Sequence, residues 1–227
     1  MAWAEDMSDS PASRTDVLRA SPPMFDSRLL DVLSRVHPVV PVLIFTPAVL
    51  LLAAWELSKT TALGTILLAI SGYAIWTLFE YWLHRIVFHF EPQEGLGARL
   101  HWIIHGVHHD HPNDPLRLVM PPAVSVPLGA AVFGVLYLLF GSSYAPGLGA
   151  GFFAGYVAYD MTHYYIHHFR PRGPLGRMLR ERHMRHHFQD DTRGFGISAP
   201  YWDEIFKTSS RGRTEQSSPG PHEPAER

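Results

Sequence analysis

The sequence HGVHH at residues 105–109 sets a histidine spacing that returns as HMRHH at residues 183–187. On an α-helix, positions i and i+4 lie on one face, so the first and last histidines of each motif can bind one ion together. The second histidine of each motif lies about 100° around the helix from the last and points elsewhere. Two such helices facing each other therefore predict a site for two metal ions, with each second histidine crossing to the other ion.

A further pair of histidines precedes each motif, His84 with His89 and His163 with His167. Sixteen positions separate the later member of each pair from the motif that follows it. A single histidine is more often a packed or surface residue than a ligand, but two parallel sets favour a metal site. The ten predicted ligands are His84, His89, His105, His108, His109, His163, His167, His183, His186 and His187.

The composition restricts the classes of protein and of site. With 227 residues the chain is long enough for one domain with a sizeable core. A net charge of -2 and a pI near 6.7 give no basic field, so no nucleic-acid partner is predicted. The absence of cysteine excludes disulfides, iron–sulfur clusters and thiolate-bound haem or zinc, and leaves nitrogen and oxygen as metal ligands.

Four apolar runs, at residues 38–57, 62–83, 121–140 and 147–165, have the length needed to cross a bilayer. At 1.5 Å per residue, about 20 helical residues span a hydrocarbon core of about 30 Å. Short linkers join the first run to the second and the third to the fourth, which predicts two transmembrane hairpins. Gly149, Gly151 and Gly155 suit close helix packing in lipid. We expect an all-α integral membrane protein with four transmembrane helices; the alternative is a soluble helical bundle.

The basic residues predict the orientation. With four spans, the loops on one side contain only Lys59, and most arginines fall on the other side. By the positive-inside rule, both termini and every histidine motif are then cytoplasmic. An alternative role for these arginines is in the metal or substrate site, although contact with lipid headgroups accounts for them more simply. They are Arg28, Arg35, Arg85, Arg99, Arg117, Arg170, Arg172, Arg177, Arg180, Arg182 and Arg185.

The two ends of the chain have the composition of flexible segments. Residues 1–25 contain Ser, Asp, Pro and Arg without apolar periodicity and show no signal-peptide pattern. From Ser209 onward the sequence is again polar and rich in Ser, Pro and Gly. We therefore expect disordered tails at 1–25 and 208–227 around a membrane-embedded domain at 26–207.

The predicted site lies at the cytoplasmic boundary of the membrane, because His84 and His163 begin where the second and fourth runs end. A substrate reaching that boundary should come from lipid. Four or five imidazoles per ion are more than a hydrolytic zinc site holds, since such a site keeps three protein ligands and an open position. Imidazole suits iron, zinc, copper and nickel, so the ligand type alone does not name the metal. Two ferrous ions, unlike zinc, can supply the two electrons that split dioxygen and leave an oxidant able to attack a C–H bond.

Four segments carry a resemblance to a known family. They are FEYWLHRIVFHF at 79–90, LHWIIHGVHHDHPNDPLRLVMPP at 100–122, GYVAYDMTHYYIHH at 155–168 and RERHMRHHFQDDTRGFGISAPYWDEIF at 180–206. Together they resemble the fatty acid 2-hydroxylase branch of the fatty acid hydroxylase and sterol desaturase superfamily. The resemblance covers roughly residues 30–207. It implies four transmembrane helices with a cytosolic helical cap that holds a dinuclear, histidine-bound metal centre.

The resemblance also implies a ligand set for each ion and a reaction. One set is His84, His89, His105, His109 and His186, and the other is His108, His163, His167, His183 and His187. The implied cofactors are two iron ions in the active enzyme, with zinc possible in the isolated protein, and dioxygen. The implied reaction is a monooxygenase reaction, hydroxylation at carbon 2 of a fatty acid or of the acyl chain of a sphingolipid such as ceramide.

The electron donor is expected to be a separate protein. Several relatives carry a fused cytochrome b5 domain, but no His-Pro-Gly-Gly haem motif precedes the first apolar run. A cytochrome b5 or ferredoxin type of partner is therefore predicted. Two alternatives stay open, namely an oxygenase of the same superfamily that acts on a sterol or carotenoid, and a non-catalytic membrane protein with structural or stored zinc.

Other polar residues near the motifs have separate predicted roles. Asp160 lies three positions before His163, and an acid at membrane depth is costly and usually functional. We predict that Asp160 supports catalysis by holding a ligand imidazole in the right tautomer. Packing or hydrogen-bonding roles are expected for His101, His111 and His168. Candidate residues for the lining of the substrate pocket are Asp110, Asp114, Tyr156, Tyr159 and Trp202.

Overall fold

The computed structural model describes residues 13–210, and every regular element among them is helical. The helices are α1 (Arg14–Arg19), α2 (Arg28–Leu33), α3 (Val39–Leu57), α4 (Ala62–Trp82), α5 (Gly95–His101), α6 (Val107–Asp110), α7 (Pro122–His168), α8 (Pro174–Phe188) and α9 (Tyr201–Ile205). Two π-helical segments, Leu83–Phe88 and Trp102–Gly106, follow α4 and α5 directly. The predicted all-α class is confirmed for the described residues.

Three helices are long and apolar enough to cross a membrane. They are Val39–Leu57, Ala62–Phe88 and Pro122–His168. The last contains 47 residues. A straight helix of that length would measure about 70 Å, more than twice the thickness of a hydrocarbon core.

A backbone break at Gly141 turns this long helix back on itself. Gly141 has φ 65° and ψ -177°, a conformation that essentially only glycine adopts. A Cβ atom built on Gly149 would lie 2.8 Å from the ring of Phe133, sixteen positions earlier. In a straight helix these two residues would be about 24 Å apart. The two arms of α7, residues 122–140 and 142–168, therefore pack side by side, and they correspond to the third and fourth apolar runs.

Glycines let the second arm of α7 pack closely against α4. A Cβ at Gly151 would lie 1.8 Å from the carbonyl oxygen of Ala69, and one at Gly72 would lie 1.9 Å from that of Leu148. The two backbones are thus in direct contact at both points. The close packing predicted for Gly149, Gly151 and Gly155 is confirmed, since each faces a neighbouring helix or arm. Beside these contacts lies an aromatic core of Phe45, Trp76, Phe152, Phe153 and Tyr156.

The amino-terminal segment is folded from Ser13 onward, which differs from the tail expected at 1–25. Ser13 and Asp16 form a reciprocal capping box that starts α1. The carbonyl of Leu18 accepts a hydrogen bond of 2.9 Å from the N–H of Asn113. Capping and backbone hydrogen bonds thus hold this segment in place. Such bonds leave no apolar periodicity in the sequence, so the sequence pattern did not indicate them. The rest of the predicted tail, residues 1–12, lies outside the described residues.

The carboxyl-terminal boundary of the folded part also lies slightly beyond the predicted one. Thr208 is buried, and its hydroxyl bonds to the carboxylate of Asp203 at 2.8 Å and to the hydroxyl of Tyr81 at 2.9 Å. Residues 211–227 of the predicted tail lie outside the described residues. The folded domain therefore includes Thr208, because this residue closes a buried hydrogen-bond network.

Candidate metal centre

The ten predicted ligands come together in two groups of five. The first group is His84, His89, His105, His109 and His186, and the second is His108, His163, His167, His183 and His187. Within each group, one ring nitrogen from every histidine lies within 4.8 Å of all the others. The elements that contribute them are the π-helical segment after α4, the π-helical segment Trp102–Gly106 with α6, the end of α7, and α8. The two groups have the same members as the two ligand sets that the resemblance implies.

The π-helical segment after α4 explains the five-residue spacing of His84 and His89. In an α-helix, residues five positions apart lie about 140° apart around the axis, so their side chains cannot bind the same ion. The N–H of His89 instead donates to the carbonyl of His84 at 3.1 Å, the i to i+5 bond of a π-helix. The two Nε2 atoms consequently lie 3.2 Å apart.

The second π-helical segment, Trp102–Gly106, carries His105 into the same group. Nε2 of His105 lies 3.3 Å from Nε2 of His84 and 3.0 Å from Nε2 of His109. Single-turn π-helical segments inside α-helices are frequent at functional sites. Both segments of this kind in the described residues end in or contain histidines of the first group.

The distances between ring nitrogens fit a set of metal ligands better than a set of hydrogen bonds. Nε2 of His183 has three Nε2 neighbours, those of His163 at 2.9 Å, His167 at 2.8 Å and His187 at 3.1 Å. A ring nitrogen has one proton or one lone pair in its plane, so it cannot bond to all three. Two nitrogens bound at 90° to one ion at about 2.1 Å would lie about 3.0 Å apart. The observed spacing therefore matches nitrogens that converge on a cation.

His108 and His186 are the two histidines that cross between the motifs. His108 packs its ring 4.8 Å from those of His163 and His167, and His186 packs 4.7 Å from His89. The Nε2 atoms of His108 and His186 are buried and have no hydrogen-bond partner in the described part of the chain. Each crossing histidine thus presents a free ring nitrogen to the group formed around the opposite motif.

Backbone carbonyls set the tautomers of two histidines. Nδ1 of His84 lies 2.8 Å from the carbonyl of Phe195, and Nδ1 of His186 lies 2.7 Å from that of Arg193. Because a carbonyl only accepts, each Nδ1 must donate its proton, which leaves the lone pair on Nε2 free for a metal. Sequence reasoning missed these two carbonyls, although the segment GFGIS that follows Arg193 was part of the resemblance.

Burial keeps the imidazoles neutral. It lowers the pKa of His89 and of His108 to about 3, with neighbouring histidines adding to the effect. Burial also lowers the pKa of the remaining site histidines on α6, on α8 and on the second π-helical segment, which are His105, His109, His183, His186 and His187. A neutral imidazole has the lone pair that a metal requires, so the site is prepared for a cation at neutral pH.

A cavity of about 270 Å³ reaches both histidine groups. Its wall includes His105 and His108 from opposite groups, together with Tyr159 and Asp160. Asp160 is 1% exposed, and its Oδ2 atom has no hydrogen-bond partner among the described residues. Nδ1 of His163 likewise has none, so the predicted hydrogen bond between Asp160 and a ligand imidazole is not formed there. Asp160 is instead one of the residues that line the cavity.

The other singled-out residues lie outside both histidine groups. His101 bonds to the carbonyl of Phe88 at 2.8 Å, and His111 bonds to that of Val17 at 2.6 Å. The ring of His168 packs against that of Tyr164, with the centroids 4.3 Å apart. Of the five candidates for the pocket lining, only Tyr159 lines this cavity. Asp110, Asp114, Tyr156 and Trp202 lie elsewhere.

The fold and the site define a class of protein: a helical protein with membrane-length helices and two convergent histidine groups at one end. Residues 69–208 match the fatty acid hydroxylase family. The chain is 41% identical to the dihydroceramide fatty acyl 2-hydroxylase FAH1 of Arabidopsis thaliana over 159 residues, covering 68% of this chain and 67% of that protein. The chain therefore belongs to the fatty acid hydroxylase family.

Two further comparisons agree with this membership. The fatty acid 2-hydroxylase of Homo sapiens is 36% identical, and the match covers 82% of this chain and 56% of that protein. A solved structure of full-length scs7p, in which only the hydroxylase domain is visible, has a TM-score of 0.77 and 34% identity. It covers 81% of this chain and 70% of that one. This chain thus spans a little over half the length of the human relative.

Proposed function

We propose that this protein is a membrane-bound fatty acid 2-hydroxylase, which inserts oxygen at carbon 2 of a fatty acyl chain. The observation that carries the proposal is the pair of five-histidine groups that share one apolar cavity at the end of membrane-length helices. The names of the relatives, which are fatty acid and ceramide hydroxylases, support the same reaction. The acyl substrate is a free fatty acid or the acyl chain of a ceramide.

Each histidine group would hold one metal ion in the proposed enzyme. Iron is the proposed working metal, because imidazole suits it and because it is redox-active, and zinc fits the same ligands. Iron held by both groups would supply the redox chemistry that activates dioxygen for insertion of one oxygen atom into a C–H bond. The electrons come from a separate electron-transfer protein of the cytochrome b5 or ferredoxin type.

The residues of the chain itself prepare the site for that chemistry. The imidazoles are neutral and have free Nε2 lone pairs, which makes both groups suitable for binding cations. The carbonyls of Phe195 and Arg193 hold two of the rings, those of His84 and His186, in place. The mostly apolar cavity wall keeps water away from the groups. Asp160 lines that cavity, and its Oδ2 atom has no hydrogen-bond partner among residues 13–210. It is proposed as a positioning residue that accepts a hydrogen bond from the polar end of the substrate.

We further propose that the chain crosses the membrane four times. The arms of α7, residues 122–140 and 142–168, would each cross once, since 19 residues already span about 28 Å. The histidine groups and both ends of the chain would then be cytoplasmic, and the folded residues 13–210 would include the membrane-embedded hydroxylase domain expected at 26–207. Carbon 2 of an acyl chain lies beside the carbonyl, near the headgroups, so a site at this boundary meets it there.

The test is expression of the full chain in a host that lacks 2-hydroxylated lipids, followed by mass spectrometry of its acyl chains. We expect products heavier by one oxygen atom, placed at carbon 2 by fragmentation. His186→Ala should abolish them, whereas His37→Gln, a change at an exposed histidine outside both groups, should not. Wild-type protein that forms no product with a competent reductant, or that hydroxylates sterols or carotenoids instead, would overturn the proposal. So would an undiminished product level with His186→Ala, the outcome expected for structural zinc.

Asp160 has its own test. Asp160→Asn keeps the size of the side chain but removes the charge, and we expect a higher KM at unchanged metal content. Asp110→Asn is the matched control, because Asp110 accepts a hydrogen bond from the Trp102 indole and does not line the cavity. An unchanged KM with Asp160→Asn would contradict the positioning role.

A further inference from the structure

A short segment before the first membrane-length helix forms part of the cavity wall. This strap, Ser21–Phe25, lies between α1 and α2. Asp31 is the centre of its attachment, because its Oδ1 atom accepts from the N–H of Met24 at 2.8 Å and from Arg117 at 2.8 Å. Its Oδ2 atom accepts from Arg35 at 3.1 Å. One carboxylate thus joins the strap, α2 and the loop before α7.

Three arginines from different parts of the chain also hold the strap through its carbonyls. Arg35 donates to the carbonyl of Ser21 at 3.0 Å, and Arg99 donates to that of Met24 at 3.2 Å. Arg117 donates to the carbonyl of Pro22, and its side chain is 2% exposed. Hydrogen bonds to charged groups are stronger than neutral ones, and a buried guanidinium is poorly screened by water. The position of the strap relative to α5 and α7 is therefore well determined.

The strap shares the cavity with the histidine groups. Met24 is 5% exposed, and it lines the cavity together with Phe25. The same cavity is lined by His105, His108 and His163, so both groups open onto it. A molecule bound beside the histidines thus meets side chains of the strap on the same wall.

The mouth of the cavity is apolar and continues onto a membrane-length helix. Leu30, Leu33, Ile104 and Val124 all line the cavity, and each is about half exposed. Val124 belongs to the first turn of α7, whose apolar surface continues away from the site. This continuity favours an acyl chain whose distal part stays in lipid while its polar end enters the cavity. A cavity of about 270 Å³ is at the small end for ligand pockets and suits part of a long chain.

We propose that Met24 is a specificity-determining residue, and that the strap is the wall against which the proximal part of the acyl substrate packs. The inference rests on the proposed function, because it names the acyl chain of that reaction as the occupant. The strap lies outside residues 69–208, which match the family, so this wall is contributed by a different part of the chain. Asp31 and Arg117 are positioning residues in this scheme, since they act through the strap.

The test uses the purified full chain and a fatty acid that carries a photoreactive diazirine near its carboxyl end. After irradiation, mass spectrometry should find the label on residues 24–25. Met24→Trp fills the cavity and should reduce that label about tenfold. Leu29→Trp is the matched control on neighbouring α2, because Leu29 is 68% exposed and does not line the cavity, and it should leave the label unchanged.

A second variant guards against a folding defect in Met24→Trp. Met24→Ala enlarges the cavity, and we expect it to raise the hydroxylation of 3-methyl-branched acids relative to straight-chain acids about threefold. Labelling that avoids residues 24–25 in the wild-type protein, or that Met24→Trp leaves at the level of Leu29→Trp, would overturn the inference. A failure of the proposed function is seen separately, as the absence of any 2-hydroxylated product from the wild-type protein.

Discussion

The Nδ1 atom of His84 donates a hydrogen bond of 2.8 Å to the carbonyl of Phe195, although 111 positions separate the two residues. This contact ties the π-helical segment after α4 to the loop after α8. The same loop holds His186 through the carbonyl of Arg193. Two members of the first histidine group therefore depend on one loop for the orientation of their rings.

Asp203 should stabilise the conformation of that loop. Its carboxylate accepts from the N–H groups of Phe195 and Gly196, both at 2.9 Å, in a buried position. Asp203→Asn replaces one acceptor oxygen by a donor that faces an N–H group, which should destabilise the protein by about 1–3 kcal/mol. Thermal unfolding in detergent measures the effect. Glu204→Gln changes a neighbouring exposed ion pair with Arg182 and should cost less than about 1 kcal/mol. Equal effects of the two variants would contradict the role given to Asp203.

The Nε2 atom of His183 has three close Nε2 neighbours within the second group. Removal of the His183 imidazole should therefore affect the ion of that group more than the other ion. With His183→Ala we expect the metal content of purified protein, measured by mass spectrometry of the elements, to fall by about one ion per chain. The first group should keep its metal, because none of its nitrogens lies in the set around His183. His37→Gln is the control, and a full metal content in the His183→Ala protein would refute the assignment.

The reversal of α7 at Gly141 should depend on glycine. Gly141→Ala places a Cβ at φ 65° and ψ -177°, where no neighbouring atom clashes but the backbone itself is strained. We expect a loss of about 1–3 kcal/mol in the free energy of unfolding. Gly134→Ala is the matched control, since Gly134 is helical and also has open space around it. That change should be neutral or stabilising by up to about 1 kcal/mol. A Gly141→Ala protein as stable as the control would show that the break tolerates other residues.

The attachment of the strap should weaken in acid. The hydrogen bond from the N–H of Met24, assisted by Arg35 and Arg117, lowers the pKa of Asp31 below its ordinary value of 3.8. A carboxyl group with a lowered folded pKa stabilises the fold above its unfolded pKa, and this contribution disappears as pH falls through the folded pKa. Hydrogen exchange at residues 21–25, corrected for the intrinsic effect of pH, should therefore show less protection below pH of about 4. Asp31→Ala should remove this dependence, and a pH dependence that survives the change would argue against Asp31.

Local periodicity accounts for the part of the site that was predictable. The repeated spacing of His105–His109 and His183–His187 indicates which side chains share a helix face. The same argument places His108 and His186 on another face, and the structure puts each of them in the opposite group. The five-residue spacing of His84 and His89 did not fit an α-helix, and a π-helical segment resolves it.

The sequence by itself determined the all-helical class, the apolar runs and the two repeated histidine motifs, because each depends on spacings of a few residues along a helix. Only the tertiary structure decided that the carbonyls of Phe195 and Arg193 orient two rings, that the strap lines the cavity and that Asp160 lies in its wall. These features join residues that are far apart in the chain, through backbone atoms and packing. Such contacts have no local period, so they exist only once the helices have packed.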